Sequence, residues 1–148
     1  GPVPIVGGAV YDPEGDGTPD YKDYVDRAFD GNDASFWLTW VYKQQLPTLK
    51  SGVGLVVELD HEVTPAQVTV KSATEGTGIE VRSATSLTPG PLAANPVLGT
   101  GTVSGGVATI DLTSAPKSKY LIVYVTKLGT TPDKQFQSKI NEINVTGS

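Results

Sequence analysis

The sequence predicts an all-β protein, a β-sandwich or jelly roll of about eight or nine short strands. Its 17 glycines and 11 prolines recur along the whole chain and separate short runs that are rich in Val, Ile and Thr. Such runs favour a pleated, half-buried surface over a helix. The length of 148 residues fits one domain with a single core. We therefore predict one domain over residues 1–148, in which Gly1 and Pro2 are interpreted as the remnant of a cleaved tag.

Apolar patterning places the predicted strands. Residues 54–59 are almost continuously apolar, which is typical of a central strand covered on both faces. Residues 68–71 and 79–83 alternate between apolar and polar, which predicts two strands with one wet face, and we expect them to pair as neighbours. The remaining predicted strands are 3–11, 36–42, 103–104, 107–112, 120–126 and 136–146.

Turn-forming residues locate the connections between these strands. Residues 12–20 form a loop rich in carboxylates, and residues 21–29 are predicted to make a short helical turn that is N-capped near Asp20. Residues 85–96 are rich in Pro, Thr, Ala and Leu, which predicts a long exposed loop of the kind where binding residues gather. Gly105-Gly106 accepts the positive φ angles of a two-residue turn and predicts a hairpin.

The charge balance is acidic, with 16 Asp and Glu against 11 Lys and Arg, a net charge of -5. No cluster of basic residues could release phosphate counterions, which argues against nucleic acid and anionic membrane surfaces as partners. Cysteine is absent, so a disulfide framework and thiolate chemistry are excluded. No stretch approaches the roughly 18 consecutive apolar residues that span a bilayer.

The pattern of reactive residues predicts a protein without enzymatic activity. His61, the only histidine, lies in an acidic segment between two predicted strands and has no second histidine with which to build a zinc site. The glycine-rich pieces lack both the nucleophile-elbow pattern and the strand-loop-helix setting of a phosphate cradle. Carboxylates are numerous enough for a glycosidase pair, but surface acids are equally numerous.

Two segments carry a family resemblance. Residues 27–37 read Arg-Ala-Phe-Asp-Gly-Asn-Asp-Ala-Ser-Phe-Trp, and residues 140–145 read Ile-Asn-Glu-Ile-Asn-Val. Together they resemble the galactose-binding, discoidin-like domains of carbohydrate-binding modules and adhesion proteins, which implies a discoidin-like β-sandwich over the whole chain. The resemblance also implies one structural Ca²⁺. Its ligands would be the carboxylates of Asp30 and Glu142, the carbonyls of Arg27, Asn32 and Asn141, and the carbonyl and hydroxyl of Ser35.

The chemistry of this ligand set suits calcium, because Ca²⁺ takes six to eight hard oxygen ligands and a tight loop can turn several carbonyls inward. The alternative is a plain turn in which Asp30 bonds backbone amides and Glu142 pairs with Lys139 or Arg27. The residues alone leave both interpretations open.

A second candidate metal site lies in the acidic loop. Asp12, Glu14, Asp16 and Asp20 follow part of the spacing of an EF-hand calcium loop, with Asp23 in the last position. The match is partial, because the last ligand should be a bidentate Glu and the preceding segment is a predicted strand rather than a helix. A solvated acidic turn is the alternative, and a carboxylate shared with the Asp30 loop is a third arrangement.

Aromatic side chains are the candidates for ligand contact, because sugars stack on exposed Trp and Tyr faces. Trp37 matches the buried Trp of the family and is predicted to lie in the core. Trp40 and Tyr42 are the candidate ligand-binding aromatics, although packing is the favoured alternative for each of them. Arg82 alternates onto a wet strand face, where it could meet a ligand hydroxyl or carboxylate, or form a surface pair.

A narrower resemblance involves several short segments. Residues 11–17, 28–31, 50–55 and 128–131, with Trp37 and Tyr42, resemble the C-terminal extracytoplasmic domain of actinobacterial MviN (MurJ-like) lipid II flippases. This resemblance implies a binding module on the outer face of the plasma membrane, part of a larger membrane protein of peptidoglycan synthesis. Its partner would be a cell-envelope saccharide or peptidoglycan precursor. Alternatively, the same loops would dock a protein of cell-wall synthesis or division.

Overall fold

Two antiparallel β-sheets form the body of the protein in the computed structural model, which describes residues 1–148. One sheet has the strand order β1-β11-β5-β8, the other has the order β2-β4-β9-β6-β7, and β3 and β10 form a separate two-stranded ladder. The strands are β1 (Pro2–Val3), β2 (Ile5–Tyr11), β3 (Trp37–Leu38), β4 (Val53–Val63), β5 (Pro65–Lys71), β6 (Gly78–Ala84), β7 (Val97–Thr102), β8 (Val107–Asp111), β9 (Ser118–Lys127), β10 (Lys139–Ile140) and β11 (Glu142–Gly147). The predicted all-β sandwich is confirmed.

The main core lies between the two sheets, and a smaller apolar cluster covers the outer face of the five-stranded sheet. The central strand β4 serves both, because alternate side chains point to opposite faces. Leu55 and Val57 belong to the main core, whereas Val56 joins the outer cluster with Tyr124 of β9. The near-continuous apolar run at 54–59 therefore has the predicted cause, burial on both faces.

Two short 3-10 helices are the only helical elements, at Lys22–Ala28 and Leu92–Ala94. Neither is long or apolar enough to cross a membrane. The first was predicted as a helical turn, but its N-cap is Tyr21 and no side chain caps it. Asp20 does not cap the turn, because its carboxylate instead accepts hydrogen bonds from Trp40 and Tyr42.

Several predicted pairings differ in the structure. Strands β5 and β6 were expected to be neighbours, but they lie in different sheets because the chain crosses the sandwich between them. At the predicted hairpin, Gly105 and Gly106 do adopt positive φ angles of 64° and 84°, yet only Ser104 and Val107 pair across the turn. The strand before this turn is β7, which extends over 97–102 rather than 103–104 and pairs with β6.

The segment 36–42 was predicted as one strand, but only Trp37–Leu38 is regular strand, followed by a single bridge between Tyr42 and Phe136. The closing strand is divided into β10 and β11. His61 lies within β4 rather than between strands, and its exposed ring contacts Asp60.

Gly54 occupies a point where β4 and β9 approach too closely for a side chain. A Cβ atom there would lie 2.0 Å from the carbonyl oxygen of Val123. We therefore expect Gly54→Ala to lower the free energy of unfolding by about 3 kcal/mol or more, since the packed backbone must shift. Gly7→Ala is the matched control, because a Cβ at Gly7 would meet its nearest atom, Oε1 of Glu58, at an ordinary 3.5 Å. Urea unfolding of both variants tests this prediction, which an unchanged stability of Gly54→Ala would contradict.

Candidate functional site

An aromatic cleft lies between the end of the acidic loop and the segment after β3. Its aromatic wall consists of Tyr21, Tyr24 and Trp40, and its volume is about 440 Å³. The rings of Tyr21 and Trp40 lie 4.4 Å apart between centroids, and those of Tyr21 and Tyr24 lie 5.6 Å apart in a near-parallel stack. The other lining residues are Gly17, Thr18, Pro19, Lys22 and Asp23.

The stacked tyrosines lie at the start of the first 3-10 helix. A 3-10 helix has three residues per turn, so side chains three positions apart lie one above the other. Tyr24 and Arg27 are related in this way, and the Arg27 guanidinium lies 3.7 Å from the centroid of the Tyr24 ring. Tyr21 is the N-cap before the helix, and its carbonyl accepts a 2.9 Å hydrogen bond from the Tyr24 backbone nitrogen. The start of the helix therefore presents two aromatic rings, with a cation against the second of them.

Asp20 connects the two segments that form the aromatic wall, the one with Tyr21 and Tyr24 and the one with Trp40. Its backbone carbonyl accepts a hydrogen bond of 2.8 Å from the indole nitrogen of Trp37, which is fully buried. Its Oδ2 accepts bonds of 2.8 Å from the backbone nitrogen of Trp40 and of 2.8 Å from the hydroxyl of Tyr42. Asp20 is itself completely buried, and burial raises its pKa although these two hydrogen bonds act to lower it.

Two charged residues of opposite sign lie at the cleft. Lys22 and Asp23 line it, and neither forms an ion pair or a side-chain hydrogen bond within the protein. Their polar atoms are therefore free to bond a ligand beside an apolar ring face, the arrangement typical of small-molecule sites.

The structure places the three predicted ligand-contact residues differently. Trp40 is half-buried and lies in the cleft, whereas Tyr42 does not line it, because its hydroxyl is bound to Asp20. Arg82 also lies elsewhere. It pairs with Glu80 and donates hydrogen bonds to the carbonyls of Leu92 and Asn95, so it anchors the 85–96 loop.

Tyr21 and Tyr24 were not predicted as contact residues. Their signal in the sequence is the three-residue spacing of Tyr21, Tyr24 and Arg27 at a predicted helical turn, since side chains three positions apart lie close together in either type of helix.

The Asp30 loop and the closing strand are brought together, as the predicted metal site requires. The backbone nitrogen of Gly31 donates a 3.0 Å hydrogen bond to Oε1 of Glu142. Within the loop, Asp30 accepts hydrogen bonds from the Asn32 backbone nitrogen and from the Ser35 hydroxyl, which also contacts the Asn32 carbonyl at 3.1 Å. Asp30, Asn32, Ser35 and Glu142 thus gather around one loop.

The remaining predicted ligands lie beside this loop. The side chain of Asn141 accepts a bond from Ala73 and donates one to the carbonyl of Asp33, which leaves only its backbone carbonyl for an ion. Arg27 and Lys139 do not pair with Glu142, because each lies over an aromatic ring instead. The ion pair of the alternative interpretation is therefore not formed, whereas its turn is, because Asp30 does accept a hydrogen bond from the Asn32 backbone amide.

Two observations at this loop suit a hard cation. Oε2 of Glu142 is buried without any hydrogen-bond partner, and desolvation raises the pKa of this carboxyl, with a further contribution from the Asp30 charge. The hydrogen bond from Ser35 holds the pKa of the exposed Asp30 carboxyl below its usual value. An unpaired buried carboxylate oxygen is costly, and a cation would satisfy it. The carboxylate and hydroxyl oxygens of Asp30, Ser35 and Glu142 are of the kind that Ca²⁺ prefers, and they would be its side-chain ligands at this loop.

The acidic loop does not gather its carboxylates. Asp12 bonds Lys50 at 3.0 Å, Glu14 accepts two hydrogen bonds from Ser51, and Asp16 caps the backbone nitrogen of Thr18. Asp20 turns inward. No group of three or more His, Asp or Glu side chains converges anywhere in the protein. The EF-hand-like set Asp12, Glu14, Asp16 and Asp20 is thus not assembled, because each acid has its own partner.

Comparisons with known proteins address the fold. No protein-family model matches the sequence. Among solved structures, chitosan-binding module 1 from a chitosanase/glucanase of Paenibacillus sp. IK-5 is 21% identical, with a TM-score of 0.65 over 95% of this chain and 94% of that one. The CBM32 of AlyQ, solved with 4,5-unsaturated mannuronic acid, is 15% identical, with a TM-score of 0.67 over 99% of this chain and 98% of that one.

A third similar structure is the family 32 carbohydrate-binding module of Clostridium perfringens NanJ, solved with galactose. It is 17% identical, with a TM-score of 0.57 over 94% of this chain and 91% of that one. This chain therefore has the β-sandwich fold of the family 32 carbohydrate-binding modules, the galactose-binding, discoidin-like fold.

Proposed function

We propose that this protein is a non-catalytic carbohydrate-binding module that holds a saccharide in the cleft, against the aromatic wall formed by Tyr21, Tyr24 and Trp40. The cleft itself carries this proposal. Its wall of three aromatic rings offers the apolar face on which the C–H groups of a pyranose pack. The unpaired Lys22 and Asp23 lie beside that face, where they can bond sugar hydroxyls and set the orientation of the ring.

The fold supports the same function by analogy. Structures with this fold include a chitosan-binding module and modules in complex with chitotriose, 4,5-unsaturated mannuronic acid and galactose. One fold therefore accommodates saccharides of different charge, so the ligand of this chain depends on its own cleft.

The cleft favours a saccharide over a protein partner. A docking surface for a wall-synthesis or division protein would call for a contiguous exposed apolar patch. The exposed large apolar side chains are instead distributed over β2, β7, β8 and the segment between β3 and β4, at Val6, Val41, Leu49, Val97 and Val107.

For the ligand and its location, we propose a cell-envelope glycan or peptidoglycan precursor, bound at the extracytoplasmic face of the plasma membrane by a module of a larger membrane protein. The support is the resemblance of residues 11–17, 28–31, 50–55 and 128–131 to the MviN-type domains of peptidoglycan synthesis. Muropeptides are therefore the first ligands to titrate.

We also propose that Asp30, Asn32, Ser35 and Glu142, with the carbonyls of Arg27 and Asn141, hold one structural Ca²⁺. The ion would supply positive charge to two carboxylates that otherwise repel, and it would tie the loop after the first 3-10 helix to the closing strand. The buried, unpartnered Oε2 of Glu142 is the observation in favour of this ion.

Tryptophan fluorescence tests the proposed cleft directly, because the chain has two tryptophans and Trp37 is fully buried. A saccharide that stacks in the cleft should shift or quench the emission of Trp40 alone. We expect a saturable change on titration with muropeptides, and chitotriose, galactose and oligomannuronate serve as comparison ligands. A flat emission together with no heat of binding for all four would refute saccharide binding at this cleft.

A further inference from the structure

Asp20 is an unusual residue to find beneath a binding cleft. Its side chain is completely buried, and Oδ1 has no hydrogen-bond partner. Lys50 and Asp12 are the charged residues that act on it electrostatically, and they act in opposite senses. Because Asp12 is itself paired with Lys50 at 3.0 Å, Asp20 lacks a cation of its own. Burying a carboxylate in this way is unfavourable for stability.

All three hydrogen bonds of Asp20 come from the segment that begins at β3 and contains Trp40. Oδ2 holds the backbone of Trp40 and the hydroxyl of Tyr42, and the backbone carbonyl holds the indole of Trp37. Asp20 itself lies at the end of the acidic loop, directly before Tyr21. It therefore joins the segment that carries Tyr21 and Tyr24 to the segment that carries Trp40.

The residue after Asp20 has a strained backbone conformation. Tyr21 has φ 41° and ψ 50°, which lie in the left-handed region. Residues other than glycine rarely occupy this region, and bulky residues least of all. Such strain persists where surrounding contacts determine the conformation, and it concentrates at functional sites. Here the conformation directs the Tyr21 ring onto Trp40, with 4.4 Å between the centroids.

We propose that Asp20 is the positioning residue of the cleft, which holds Trp40 against Tyr21 through its hydrogen bond to the Trp40 backbone. This inference rests on the proposed saccharide function. The acceptor oxygen, rather than the negative charge, performs this role. Part of the acidic loop, whose spacing resembles a metal site, thus serves to shape the aromatic cleft.

Three variants test the role of Asp20. Asp20→Ala removes the acceptor, Asp20→Asn retains an acceptor oxygen without the charge, and Asn95→Ala is the matched control. Asn95 is also buried, at 3% exposure, and its side chain also makes two hydrogen bonds to partners outside the cleft, the carbonyls of Pro89 and Pro91. Each variant is measured for chitotriose and muropeptide affinity and for hydrogen exchange of the Trp40 backbone amide.

We expect Asp20→Ala to weaken saccharide affinity at least about tenfold, because the Trp40 indole is then no longer held in the position that the sugar contacts, and to accelerate exchange of the Trp40 amide. Asp20→Asn should keep affinity within about threefold and preserve the slow exchange, because one good acceptor remains. Asn95→Ala should change neither quantity, even where it lowers the melting temperature. Equal losses in Asp20→Asn and Asp20→Ala would overturn the proposal, because the charge would then be responsible.

The wild-type protein provides a test that does not depend on the folding of any variant. A through-hydrogen-bond scalar coupling should connect the Trp40 amide nitrogen to the side-chain carboxyl carbon of Asp20, and its absence would refute the positioning contact. If the wild type binds no saccharide while this coupling and the exchange pattern are as expected, the saccharide function fails and the positioning of Trp40 stands. If saccharides bind but Asp20→Ala binds as well as wild type, only the role of Asp20 is rejected.

Discussion

Replacement of Trp40 by alanine is expected to weaken saccharide binding by about 30-fold or more, equivalent to about 2 kcal/mol, the scale of a Trp at the centre of a binding site. Trp40 is the side chain that both lines the cleft and contacts the tyrosine stack, since its ring lies against Tyr21. Without the indole, the aromatic wall loses one of its three rings, and the sugar loses an apolar face on which to pack. Calorimetric titration with the best ligand of the fluorescence series measures the loss.

Two further variants make the Trp40 result specific. Trp40→Phe keeps a smaller ring at the same backbone position and should bind with intermediate affinity. Tyr120→Ala removes a partly buried aromatic residue that packs on the outer cluster of the five-stranded sheet, away from the cleft, and should bind as wild type. Wild-type affinity in Trp40→Ala would show that the saccharide binds elsewhere on the sandwich.

Calcium is expected to raise the melting temperature by about 5–10 °C when the free ion exceeds its dissociation constant about 100-fold, because selective binding to the folded state then adds about 2.7 kcal/mol. The stabilisation should disappear on addition of a chelator. Glu142→Gln should remove most of it, since the buried and unpartnered Oε2 of Glu142 is the atom that the ion would satisfy. Differential scanning calorimetry with calcium, magnesium and chelator measures the effect.

The acidic loop supplies the control for the calcium experiment. Glu14→Gln changes a carboxylate of the EF-hand-like set, whose members are bound to separate partners, so its calcium response should equal that of wild type. If Glu14→Gln abolishes the response and Glu142→Gln does not, the ion lies in the acidic loop, and the proposed ligand set is wrong. If calcium leaves the wild-type melting temperature unchanged, the protein has no structural calcium site.

Arg82 shows why a strand pattern alone misplaces a functional residue. The alternation around β6 correctly indicates a polar face, but the 85–96 loop folds over that face. The Arg82 guanidinium donates hydrogen bonds to the carbonyls of Leu92 and Asn95 in this loop. Tyr42 is likewise engaged within the protein, because its hydroxyl donates a hydrogen bond to the buried carboxylate of Asp20. Both residues have the right chemistry for a ligand, and both are occupied by partners distant in the sequence.

The sequence by itself determined the all-β class, most of the strands and the double burial of the central strand, because these depend on local alternation and on turn residues within a few positions. Resemblance to a known family added the proximity of the Asp30 loop to Glu142. Only the tertiary structure decided which strands share a sheet, which acids converge and where the cleft lies. At the cleft, Asp20 bonds the backbone of Trp40, 20 positions along the chain, and the Tyr21 ring packs against Trp40. Such contacts depend on how the whole chain closes, and no local pattern encodes them.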